Sequence, residues 1–100
     1  MPLFAVIRRQ GTAWLHDRDL ESQLQWHQHA DFMNCLAAEG VVVLGGPLAG
    51  TSDVLLVMRA DSPEAISQRL EYDPWTSLEL LQIVSITPWE LRLGALPGAL

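Results

Sequence analysis

Three stretches of this chain, Phe4-Ala5-Val6-Ile7, Val41 to Leu44 and Val54 to Val57, are apolar at every successive position. Neighbouring residues of an extended strand point to opposite faces, so a strand with one wet face alternates apolar and polar side chains. Unbroken apolar runs ask for cover on both sides of the sheet they form. The remaining elements decide what supplies that cover.

Leu3 to Ile7 reads as a first strand ended by Arg8-Arg9, Val41 to Leu44 as a second closed by Gly45-Gly46-Pro47, and Val54 to Met58 as a third. From about Asp19 to Glu39 there is neither Gly nor Pro, and Gly40 then supplies a C-terminal stop, which predicts one long helix. Asp61-Ser62-Pro63-Glu64 carries an N-cap, a first-turn proline and an early acid, and Ile66 and Leu70 share one face of the helix that follows, to about Glu71. Asp73-Pro74 breaks it, because the residue before proline is pushed towards extended geometry. A last strand lies around Gln82 to Ile86, within Leu80 to Leu93.

The order β-α-β-β-α-β is that of the ferredoxin-like α+β arrangement, a four-stranded antiparallel sheet with two helices on one face. Residues 1–93 make one domain, and 94–100 form a C-terminal tail with little local order signal. Two helices cover one face only. A second copy of the same sheet is the simplest cover for the other, so a homodimer through sheet faces is expected.

Six arginines and no lysine stand against 12 acidic residues, a net charge of −6. That balance repels phosphate backbones and anionic lipid, which excludes nucleic acid as a partner. Without lysine there is neither a phosphate-loop lysine nor Schiff-base chemistry. Charged residues interrupt every apolar run well short of the ~18 residues of a membrane span. The single Cys35 forms no internal disulfide, and residues 1 to 15 lack the features of a signal peptide, so a cytoplasmic setting is expected.

Plotted at about 100° per residue, Trp26, Ala30, Phe32, Met33, Leu36 and Ala37 fall on one arc of the first helix with His29 in its middle. His29 therefore points inward, as a core histidine satisfied by one hydrogen bond or as a functional group. His27 lies on the opposite side. Residues two apart on a helix diverge too far to grip one ion, and His27 with Asp31 lacks a third ligand, so no metal site is expected. Cys35, with Asp31 one turn before it, reads as structural, because a nearby carboxylate does not favour the thiolate. Gly45 to Thr51 reads as a turn.

Asp73, before Pro74, either bonds nearby backbone amides in a turn or orients His29, fixing its tautomer so that the imidazole moves protons. Trp75 is either a packing anchor or the apolar wall of a small-ligand pocket. Arg8, Arg9 and Arg18 are placed between the first strand and the helix, where a cation receives an anionic substrate or is simply solvated.

His29 eleven residues before Gly40, then a strand and Gly45-Gly46-Pro47, then a strand and helix, Asp73-Pro74-Trp75 and a last strand reaching Pro88-Trp89 together resemble the YCII-related family over about residues 3 to 93. The resemblance implies a dimeric α/β-barrel with a His and Asp pair at a pocket, which fall on His29 and Asp73. It implies elimination-type chemistry on small hydroxylated aromatics. The expected function is thus a small lyase-like enzyme without cofactor, with His29 and Asp73 catalytic and Trp75, Pro47 and Arg8 around the substrate. The alternatives are a non-catalytic small-molecule-binding or sensing module, or an interaction domain with no pocket.

Overall fold

Strand β1 (Leu3–Gln10) is followed by α1 (Trp26–Ala38), β2 (Val42–Pro47), β3 (Asp53–Arg59), α2 (Pro63–Leu70), α3 (Pro74–Ser77) and β4 (Leu81–Trp89). The structure is a computed structural model that describes residues 1–96, so the expected tail at 94–100 lies partly outside the described residues. The four strands form one antiparallel sheet in the order β2-β3-β1-β4. This is the expected α+β arrangement, with α3 as a short additional helix.

Alternation along β1 sets the layers. Phe4, Val6 and Arg8 are buried on one side of the sheet, while Leu3, Ala5 and Ile7 are half-buried on the other. Phe4 and Val6 join Leu36, Val42, Leu56, Met58, Ile66 and Leu70 in the main core. Further along the sheet, a second cluster forms around Trp14, Trp75, Leu80 and Leu81. On the other side, Ala5 pairs with Val57, Ile7 with Leu55, and Val57 in turn with Leu44. These side chains make a continuous apolar patch, ended by the Arg9–Asp53 ion pair at 2.7 Å. Within one chain this second face is only partly covered.

Several boundaries differ from those the sequence predicts. The long helix does not begin near Asp19: a 3₁₀ turn spans Leu20–Ser22, and α1 starts only at Trp26. Gln23 bends the chain here, its amide donating to the carbonyls of Leu15 at 2.8 Å and Arg18 at 3.1 Å while its oxygen accepts from the Leu15 amide at 3.0 Å. Gln25 then takes the left-handed conformation, φ 56°, which interrupts any helix through it.

Arg8 and Arg9 do not end β1, because Arg8 continues the buried row and Arg9 pairs across to Asp53. Gly45-Gly46-Pro47 is strand and not turn. Proline is accommodated because β2 is an edge strand, and the reversal comes at Leu48 to Ser52. Helix α2 starts as predicted, with the Ser62 hydroxyl accepting from the Ala65 amide at 3.2 Å. Asp73-Pro74 does break it, and also starts α3, whose N-cap is Asp73.

Candidate active site

Three elements converge where the second cluster meets the sheet. Helix α1 carries His29 inward, β1 carries Arg8 in the register of Phe4 and Val6, and the start of α3 carries Asp73 and Trp75. At that point β1 and β4 lose register, Ile7 pairing with Ser85 and Arg8 with Ile83. A bulge of this kind re-aims side chains near the break.

Asp73 is the hub, with no solvent exposure. His29 Nδ1 lies 2.9 Å from Oδ1 and 2.8 Å from Oδ2. The Trp75 amide donates to Oδ1 at 2.9 Å, and Arg8 Nη1 donates to Oδ2 at 2.8 Å. Burial alone pushes this carboxyl up, but the hydrogen bonds from His29, Arg8 and the Trp75 amide outweigh it and hold Asp73 below the usual carboxylate value. Asp73 is accordingly an anion, and an anion accepts the Nδ1 proton. In its neutral form the ring then carries its lone pair on Nε2, which has no protein partner among the described residues.

The ring is fixed on its face as well as its edge. It stacks on Trp75 with centroids 3.8 Å apart and planes 4° from parallel. Trp26 lies tilted against both rings, and Trp14 meets Trp75 edge to face. Trp75 is in turn held by its indole N–H, which donates to the Leu24 carbonyl at 2.6 Å. A ring gripped this way on its face and at Nδ1 leaves its Nε2 edge as the one not held by the protein among the described residues.

In front of the ring lies a cavity of about 300 Å³, lined by Arg8, His29 and Trp75 with apolar residues of α1 and β2, including Met33 and Pro47. Its volume suits a single-ring compound. Gly45 lies on this wall, and a Cβ there would collide with the Leu56 side chain. Asp73 stands behind His29, away from the cavity wall.

His29 and Asp73 are thus brought within hydrogen-bond reach of each other, and Trp75, Pro47 and Arg8 border the space in front of them. Arg9 is instead on the far side of the sheet, and Arg18 lines a neighbouring cavity of about 270 Å³. His27 is solvent-facing. Cys35 is exposed too, so it contributes no core packing. Sequence reasoning missed Trp26 as a wall of the site and Thr76, whose hydroxyl accepts from Arg8 Nη2 at 3.0 Å and donates to the Leu70 carbonyl at 2.7 Å. It also read Arg8 as a loop residue, although alternation from Phe4 and Val6 points it inward.

The sequence profile of the YCII-related domain matches residues 3–90. The chain belongs to the YCII-related family. No curated protein matches it by sequence. Among solved structures, this YCII-related chain is similar to 5-chloro-2-hydroxyhydroquinone dehydrochlorinase from Burkholderia phenoliruptrix AC1100, solved in complex with 2,5-dihydroxybenzoquinone. The two are 22% identical, with a TM-score of 0.54, over 92% of this chain and 95% of that one. At that identity the likeness bears on the fold.

Proposed function

We propose that this chain is an enzyme of proton-transfer chemistry, acting by elimination on a small hydroxylated ring compound. The observation that carries the reading is the pairing of His29 Nδ1 with the buried Asp73 carboxylate at 2.8 Å, which leaves Nε2 as the base at the cavity. Nε2 takes a proton from a C–H or O–H of the substrate. The electron pair left behind forms a new double bond, and the leaving group departs with its bonding pair. The proton on His29 then passes to the leaving group or to water. Asp73 holds the tautomer and balances the imidazolium, as the orienting carboxylate of a catalytic triad does. Trp75 offers its face to the imidazole, and Pro47 with the β2 backbone closes the far wall. This chemistry asks for no cofactor.

The relative that acts on a chlorinated hydroxyhydroquinone supports the substrate class. Halogenated and unhalogenated di- and trihydroxybenzenes make the screening panel. His29→Ala should abolish turnover of any compound found, with an unchanged far-ultraviolet spectrum, and Asp73→Asn should lower kcat by orders of magnitude through the wrong tautomer, about 10⁴-fold in the comparable protease case. Turnover undiminished in His29→Ala removes the mechanism. A compound bound tightly and never converted favours a binding module.

The patch of Ala5, Ile7, Leu44 and Leu55 around the buried Val57 on the helix-free face supports a homodimer through that face. Sedimentation should give twice the monomer mass, and Leu55→Asp or Ile7→Asp should give monomers.

A further inference from the structure

Arg8 occupies a place where the fold asks for an apolar residue. It follows Phe4 and Val6 in the buried row of β1 and is itself 1% exposed. Its Nη1 meets Asp73 and its Nη2 meets Thr76, but its Nε is buried with no hydrogen-bond partner among the described residues. Burying a cation is costly, and replacing a buried ion pair by packed apolar residues is often neutral or stabilising. An arginine left with an orphan donor is therefore a poor choice for stability alone.

Counting charge gives it another role. Asp73 and His29 alone make a site of net −1 when the imidazole is neutral, and Arg8 brings that to zero. Proton uptake by His29 then makes the buried cluster +1. Among the described residues, nothing else nearby offsets that change. Among the described residues, Arg8 and His29 are the only ionisable ones lining the cavity, and Asp73 bonds His29 from behind. His27 and Asp31 of α1 face solvent, as do Glu21 of the 3₁₀ turn and Glu79 after α3, while β2 carries no ionisable side chain.

We propose that Arg8 is a positioning residue that acts through Asp73 to set the charge of the site, so that His29 takes up a proton together with an anionic ligand. This rests on the acid–base reading of His29 and narrows it: the species held best is a flat ring carrying an ionised oxygen, as a phenolate, enolate or vinylogous carboxylate. A proton taken from a neutral substrate leaves that same pair, imidazolium beside oxyanion, and Arg8 makes the pair neutral overall within the low-dielectric site. Without Arg8 the same pair carries −1.

The test uses the full chain with 2-hydroxy-1,4-benzoquinone, whose single hydroxyl is a vinylogous acid ionised in neutral water, beside hydroquinone as an uncharged ring of similar size. Calorimetric titration at about pH 8, above the ordinary imidazole range, repeated in buffers of different ionisation enthalpy, reads protons taken up per ligand bound. Roughly one proton is expected with the anion and none with hydroquinone. Equal uptake for the two, no uptake with the anion, or no binding of the anion overturns the proposal. Arg8→Gln should weaken the anion tenfold or more, on the order expected for one charge several ångströms away at an effective dielectric constant near 20, and hydroquinone by less than about twofold. Equal weakening of both makes Arg8 a structural tie only. Arg8→Lys should recover most of the anion affinity, and if Arg8→Gln does not fold, that variant and the wild-type proton count decide. Proton uptake that survives His29→Ala sinks the acid–base reading itself. Uptake lost in His29→Ala, with anion affinity untouched by Arg8→Gln, sinks the Arg8 inference alone.

Discussion

Within one strand, the helix-facing side of the sheet changes character over two residues. Phe4 and Val6 sit among Leu36, Leu56, Met58, Ile66 and Leu70, held by contacts that have no direction. Arg8 sits among Asp73, His29, Thr76 and the neighbouring tryptophans, held by hydrogen bonds at 2.8 to 3.0 Å. The aliphatic end needs only volume and tolerates exchange of one hydrocarbon for another. The polar end needs each partner, because a buried charge stripped of its counter-charge has no water to fall back on. The two ends therefore fail in different ways.

The sharpest contrast comes from removing one partner at the polar end. Asp73→Ala leaves Arg8 buried without its carboxylate and should cost about 3–5 kcal/mol in urea unfolding. A loss below about 1 kcal/mol would mean that this end is held by its tryptophans instead. Leu36→Ala, at the aliphatic end, should cost roughly 2–4 kcal/mol through a cavity, yet leave ligand binding little changed. If it disturbs the site as much as Asp73→Ala does, the ends are not separate.

Acid separates them on another axis. The folded Asp73 carboxyl titrates below its unfolded value of about 3.9, so its stabilisation is fully present above that value and is lost as pH falls through the lower folded one. Urea midpoints from about pH 5 downwards should therefore fall less steeply in Asp73→Asn than in wild type, while Leu36→Ala keeps the wild-type slope. Parallel slopes in all three would remove Asp73 from the acid response. Ile66→Val is the smallest expected effect, about 0.5–1.5 kcal/mol by the same unfolding assay, and a larger one would show the aliphatic end to be less forgiving than described.

Where a residue's signal was local and periodic, the sequence carried it. His29 was legible because it falls in the apolar arc of α1, and Ser62 because an N-cap beside Pro63 has a fixed chemistry. The start of α1 was not, since the bend depends on Gln23 reaching carbonyls of Leu15 and Arg18 and on one left-handed residue at Gln25. No propensity encodes that. The strand through Gly45-Gly46-Pro47 was hidden because glycine and proline usually punctuate, and only its place at the edge of the sheet makes it a strand. That Arg8, 65 residues from Asp73, shares its carboxylate is a tertiary fact for which alternation along β1 gave only the direction.

Asp73 has two occupations, since the oxygen that holds the histidine also caps the amide of Trp75. A lineage that ceased to use the reaction would still be bound to this aspartate by the need to turn the chain into α3 and neutralise Arg8. Selection for folding alone would thus preserve half of the proposed pair. On the acid–base reading proposed above, His29, which caps no helix and neutralises no buried cation, would be the residue released to drift.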